Sequence, residues 1–343
     1  TPAPTSTSTT RQAVPSLRVD TVATIDAGGG RAHSLVTWGR YVAWTAGAAG
    51  PDEDPNEILV HDLDSKQTRV VARTRFPRGT IPRVRGSGES LVFLDMSRVP
   101  TDSDAGSDWH MYEVSISTGK QRRLLSSTGK ADREDPPIPS IAWPWVVWFR
   151  PAGDAYTLQS LDLREARERT VARSPAGGQL SLDNETLTAY YDDDNGANGR
   201  DVFAVPVDGS APPRRVTTSG KADFPLARNG AVAWQEPPGG RSEALLYKAA
   251  STDTVHRVST PSSTWPEAGR NPFPGRGFVV WLMGSQLLVR AASGQSPPTV
   301  LEERHASIPA RWWVEADRVA WATLTGVGTA NERSVIHVAH VRT

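Results

Sequence analysis

Short, largely apolar runs closed by an aromatic recur seven times along the chain: Tyr41-Val42-Ala43-Trp44, Leu91-Val92-Phe93, Val146-Val147-Trp148, Leu187-Thr188-Ala189-Tyr190, Ala231-Val232-Ala233-Trp234, Phe278-Val279-Val280-Trp281 and Val319-Ala320-Trp321. The closing aromatics stand 49, 55, 42, 44, 47 and 40 residues apart. Repetition at this period is the signature of β-propeller blades, and a large apolar side chain at one fixed place per repeat is what blade-to-blade packing requires. The seven aromatics are therefore read as core.

Each run is the second strand of a hairpin. In the first repeat Leu35 to Trp38 leads through Gly39-Arg40 into the run, and in the fifth Leu226-Ala227 leads through Arg228-Asn229-Gly230. A polar loop and a third strand follow in all seven repeats, from Ile58 to Leu63 in the first to Ser334 to Ala339 in the last. Fourth strands, Thr68 to Ala72 being the first, number only six, because the sequence stops soon after the seventh third strand. Asp20 to Ile25 is predicted to supply the missing one and so to close the ring, which leaves no open sheet edge between the chain ends. The fold expected is all-β, a seven-bladed propeller of four-stranded antiparallel blades. Six blades with a divergent terminal hairpin is the alternative count, turning on the second repeat and its long Asp95 to Asp108 loop. Leu161 to Val171, LDLREARERTV, tempts a helical reading but occupies the place of a third strand, a turn and a fourth strand.

Composition sharpens this picture at three points. The chain of 343 residues balances 38 basic against 38 acidic side chains, so no overall field favours nucleic acid. It has no Cys, which removes disulfides, thiolate metal sites and a Cys nucleophile. Its apolar stretches are strand-sized, well short of the ~20 residues of a membrane helix. Residues 1–15 read as a flexible Ser/Thr/Pro-rich tether, beginning TPAPTSTSTT, and 16–343 as a single propeller domain. Such a tract fits a tether left after a signal peptide or lipid-anchor segment is removed, and so a secreted or cell-envelope location; a trimmed N-terminus is the alternative.

Several repeats resemble the TolB-like propeller repeat. The first offers Val42-Ala43-Trp44, Ile58-Leu59-Val60-His61-Asp62-Leu63-Asp64 and Arg69-Val70-Val71; the fourth offers Asp201 to Gly209 and Arg214-Arg215-Val216-Thr217. Pro82, Pro139, Pro225, Pro272 and Pro309 stand before first strands, as that pattern has it. The resemblance covers Asp20 to Thr343, although the family's Ser-Pro-Asp-Gly turn is replaced, for instance by Arg228-Asn229-Gly230. It implies a binding or scaffold propeller; related propellers also occur in lyases and beside peptidase domains.

In such a fold the inter-blade loops and the loops after second strands share the face around the channel mouth, where ligands bind on a rigid frame. Candidate ligand-binding residues there are Arg31, His33, Arg83, Asp132, Asp223, Trp265, Arg270, His305 and Arg311. Arginine offers a planar fork for carboxylates or phosphates, and an aromatic beside it can stack on a sugar or base. Arg83, Arg270 and Arg311 are expected to point into the channel or to pair with Asp135, Glu267 or Glu303. Of Trp312 and Trp313, alternation exposes one. No cofactor is expected, the acidic loops around Asp102, Asp104, Asp192 and Asp194 being the calcium candidates. No hydrolase elbow, zinc motif or phosphate loop occurs, so no catalytic residue is assigned. The expected function is non-catalytic recognition of a protein, peptide or glycan at the mouth. The alternative is a polysaccharide lyase or hydrolase using His305, Arg270 and Arg83.

Overall fold

The computed structural model describes residues 17–28, 31–47, 54–97, 108–127, 136–194, 199–236, 244–259, 270–303, 311–325 and 333–343, with the side chains of Arg270 and Asn271 excepted. The proposed tether, 1–15, lies outside them. The described strands form seven four-stranded antiparallel sheets, and no helix occurs among these residues. Six blades take their strands in sequence order from the channel outwards. The seventh combines Arg311–Glu315, Arg318–Thr325 and Arg333–Arg342 with Arg18–Asp26 as its outer strand. The count is seven, and the ring closes through the N-terminal strand.

All seven repeat aromatics are buried, the most accessible being Trp321 at 6%. They pack between neighbouring sheets: Trp44 lies with Ile336 and Val338 of the last blade, and Trp148 with Val92 and Met111 of the second. LDLREARERTV is indeed strand, turn and strand, Ala155–Asp162 followed by Arg167–Ser174. Its turn is fixed by the Asp162 carboxylate, which accepts from the backbone N–H groups of Arg164 at 2.9 Å and Glu165 at 3.4 Å. Asp62 does the same for Asp64 and Ser65 in the first blade. This side-chain turn chemistry outweighs the helical propensity of the charged run.

Two sequence expectations need correction. Pro82, Pro225 and Pro272 do not precede the inner strands but lie within them, where the register slips between Thr80 and Arg83, Asp223 and Leu226, and Arg270 and Phe273. A proline lacks the N–H a ladder needs, so a bulge on an edge strand is where it is tolerated. Arg228 belongs to the inner strand Asp223–Arg228, not to the turn. The turn is Asn229-Gly230 alone, with φ of 58° and 70°, the left-handed pair that a two-residue hairpin demands.

Acidic residues at the ends of second strands pin the connections between blades. Asp95, fully buried, accepts from Thr74 Oγ1 at 2.6 Å and Arg75 N at 3.1 Å; Asp193 accepts from Ser174 Oγ at 2.9 Å and Ala176 N at 3.3 Å. These pins hold the mouth loops at their roots.

Candidate functional site

The inner strands surround a channel closed at one end. Arg228, on the fifth blade and 4% exposed, donates from Nε to Glu315 of the seventh at 2.6 Å, and its terminal nitrogens reach Ile141 O of the third blade and Gly86 O of the second at 3.4 and 3.5 Å. Asn184 donates to the other Glu315 oxygen at 2.7 Å and accepts from Asn229 N at 2.8 Å. Asn229 in turn donates to Pro274 O at 3.2 Å and accepts from Ala316 N at 2.7 Å. Side chains from the turn ends of the fourth, fifth and seventh blades thus lace together across the axis.

Above this plug the channel widens into a cavity of about 270 Å³ between Arg83, Arg85, Arg228 and Trp313. It continues into one of about 480 Å³ at the mouth, lined by His33, Arg83, Arg85, Phe273, Arg311, Trp312 and Trp313. Among the described residues Arg83 and Arg311 have no carboxylate partner, and Arg85 bonds only the Val84 carbonyl, at 2.9 Å. Arg85 and Arg228 both lie over the Trp313 ring, at 4.8 and 5.0 Å from its centre. His33 Nε2, Trp312 Nε1 and Trp313 Nε1 are buried with no hydrogen-bond partner among the described residues.

Burial and mutual repulsion set the electrostatics. Burial, then Arg311, lowers the pKa of Arg83; burial alone lowers that of Arg311. Arg85 is pulled down to about 9 by burial, then by Arg83 and Arg228, and is still a cation at neutral pH. His33 is lowered by burial, then by Arg311 and Arg31, against an opposing pull from Asp54, which leaves it neutral at pH 7. Four guanidinium groups therefore face one carboxylate, Glu315, among the described residues of the channel. Buried donors without acceptors are costly, and a ligand that supplies acceptor oxygens relieves that cost.

Of the residues expected at the mouth, His33, Arg83 and Arg311 are brought together in this cavity, with Arg31 acting on His33 through its charge. Asp132, Trp265 and His305 lie outside the described residues, as do Asp102 and Asp104; Arg270 opens an inner strand, Arg270–Pro274, with its side chain undescribed. Arg85, Arg228, Trp312 and Trp313 were not foreseen as channel residues. Their signals were the i, i+2 spacing of Arg85 from Arg83 on an inner strand and the tryptophans directly after Arg311. The expectation that one of the tryptophans is exposed fails: Trp313 is 7% exposed and Trp312 half-buried, set edge-on to Phe273 at 6.3 Å. Blades stand radially, so both faces of a strand meet a neighbouring sheet and alternation exposes neither.

Asp223 sits apart from the cavity, in a clamp between the fourth and fifth blades. Arg200 Nη1 donates to Asp192 Oδ2 at 2.7 Å and to Asp223 Oδ1 at 3.2 Å. Asp192 is fully buried, and burial, then the Asp223 carboxylate, pushes its pKa up to about 7. Among the described residues no group of three or more His, Asp or Glu is arranged to hold a metal ion. The folded state holds a proton on Asp192 that an unfolded aspartate, with its pKa near 3.9, releases; stability contributed by that proton is full below about pH 4 and is lost as pH rises towards 7. Thermal melts between pH 4.5 and 8 are expected to fall by a few degrees across this window in the native chain, and Asp192→Asn to flatten the slope by roughly half or more. An unaltered slope in the variant would place the titrating group elsewhere.

In class the chain is a seven-bladed β-propeller with an arginine-rich, one-ended channel. No protein-family model matches the sequence, and no curated protein matches it. Solved structures share the fold. The β-propeller domain of the Trilobed protease from Pyrococcus furiosus, reported with an open velcro topology, has 12% identity and a TM-score of 0.59 over 89% of this chain and 92% of that one. Prolyl endopeptidases reach 0.58 at 10% identity, covering 94% of this chain and 51% of theirs. TolB from Acinetobacter baumannii has 14% identity and a TM-score of 0.48 over 72% of this chain and 60% of its own. The chain thus spans about half to three-fifths of the length of the last two. At these identities the likeness is one of fold, and it is the propeller that the TolB-like repeat implies.

Proposed function

We propose that this propeller is a non-catalytic binding module that takes an anionic part of a protein, peptide or glycan at its channel mouth. The observation that carries this reading is the pair of half-buried guanidinium groups, Arg83 and Arg311, that have no carboxylate partner among the described residues and line one cavity of about 480 Å³ beside Trp312 and Trp313. A cavity of that size takes a side chain or chain end on a rigid frame, and a cationic lining selects by charge. Location outside the cytoplasm, secreted or tethered to the envelope, is part of the proposal and rests on the Ser/Thr/Pro tract. Among the described residues no helix is long and apolar enough to cross a membrane.

The test is a screen of peptide and oligosaccharide arrays with the native chain and with the Arg83→Ala/Arg311→Ala double variant. The native profile is expected to be enriched in anionic ligands and to weaken with salt, and the variant to lose them. Identical profiles would overturn the proposal. A lyase reading has one observation in its favour, the neutral His33, whose Nε2 has no hydrogen-bond partner among the described residues, near the Arg311 and Arg31 charges, which is a base next to groups that neutralise a carboxylate. Turnover of an acidic oligosaccharide, lost in His33→Gln, would replace the binding reading with that one.

A further inference from the structure

We infer that the channel is a dead-end receptor for the free C-terminus of a peptide, its terminal carboxylate held by Arg83 and Arg311 and its last side chain resting on Phe273 and Trp312. The inference rests on the binding reading above and narrows it to one ligand class.

Three features of the channel choose this occupant. The Arg228, Glu315, Asn184 and Asn229 plug closes the far end, so a chain cannot thread through. A segment entering mid-chain has to turn inside the cavity and leave by the same mouth. A chain end enters without that turn. Second, the donors suit a planar carboxylate: two guanidinium forks without carboxylate partners among the described residues line the cavity, in a site where desolvation strengthens each charge-assisted bond. Third, the Trp313 ring is already engaged. The Trp313 ring already carries the Arg85 and Arg228 guanidinium groups and leans on Phe273 at 5.1 Å. A sugar ring needs an open aromatic face to stack on, and the tryptophan ring that the arginines occupy does not offer it, whereas an apolar side chain packs against Phe273 and Trp312 in any orientation. An acidic glycan is the poorer fit for that reason.

The experiment uses the whole chain and a set of synthetic hexapeptides that differ in their last residue, apolar, polar or acidic, each made as the free acid and as the C-terminal amide. Binding is read by calorimetry or fluorescence polarisation, with oligogalacturonate and inorganic phosphate as competitors. The free acids are expected to bind, those with an apolar last residue best, and the amides to bind about tenfold or more weakly. Arg83→Ala and Arg311→Ala should each cost roughly tenfold, with Arg83→Lys recovering part of the loss, while melting temperatures stay near native because neither guanidinium has a carboxylate partner among the described residues to strand. Equal affinity of acid and amide, with dependence on both arginines retained, overturns the chain-end inference and leaves anion capture standing. Indifference to both arginines overturns the two together. Oligogalacturonate bound in preference to every peptide, or no peptide bound at all, also overturns the inference.

Discussion

Deleting residues 1–26 is expected to lower the thermal transition by about 5–10 °C and to make the protein associate with itself. The strand Arg18–Asp26 runs antiparallel to Arg333–Arg342 from Arg18 opposite Arg342 to Asp26 opposite Val335, with one bulge between Thr21 and Ala23. Its Ile25 is buried in one cluster with Leu35 and Trp44 of the first blade and Ile336 and Val338 of the last, so the strand joins the two ends of the ring through packing as well as through the ladder. Beyond it, Ala27 N donates to Ser334 O at 3.0 Å, and Ala32 N to Ser334 Oγ at 2.9 Å. The exposed ion pairs Arg333–Asp26 and Arg342–Asp20 add little, since solvent screens them. Without the strand, the ten residues of Arg333–Arg342 become a bare sheet edge, a template for another chain. Differential scanning calorimetry with light scattering reads both effects. A truncated chain that melts at the native temperature and stays monomeric would mean that the ring is held by the other blade contacts alone.

That closure was legible in the sequence because repetition carries information across the chain. Seven third strands with six fourth strands leave one strand to be found, and Asp20 to Ile25 had the right pattern. The aromatics were legible for the same reason. The channel was legible only in part, because its lining converges from inner strands that lie far apart in the chain. His33, Arg83 and Arg311 could be placed at the mouth by their position just before or at the start of inner strands, whereas Asp223, in an equivalent position, is claimed by Arg200 and a neighbouring blade. Nothing local shows that Arg228 reaches Gly86, 142 residues earlier, or Glu315, 87 residues later. The bulges at Pro82 and Pro272 were missed because proline before a strand and proline at a bulge inside its start look alike in sequence; only the ladder register separates them.

The plug makes the sharpest energetic claim. Arg228 and Glu315 have side chains only 5% and 16% exposed, and their contact is the one carboxylate pairing of the channel's guanidinium groups among the described residues. Arg228→Ala leaves Glu315 with Asn184 as its remaining side-chain donor and removes one of the two cations over Trp313; the cost expected is about 3–5 kcal/mol, or roughly 4–7 °C for a chain of this length. Glu315→Gln keeps a hydrogen-bonding oxygen but strands the Arg228 charge beside Arg85, and is expected to cost a similar amount. Because each single change leaves a buried charge uncompensated, Arg228→Ala combined with Glu315→Gln should cost much less than the sum of the two single changes, with a coupling of about 2 kcal/mol or more in a double-mutant cycle. Additive losses would mean that the two residues stabilise the channel through packing and not through their charges. The same variants bear on binding. Arg228 and Arg85 both hold the Trp313 ring, so freeing one side of it should loosen the floor of the mouth cavity and weaken ligand capture even in the double variant, whose stability is largely restored. Recovery of stability without recovery of affinity would separate what the plug does for the fold from what it does for the site.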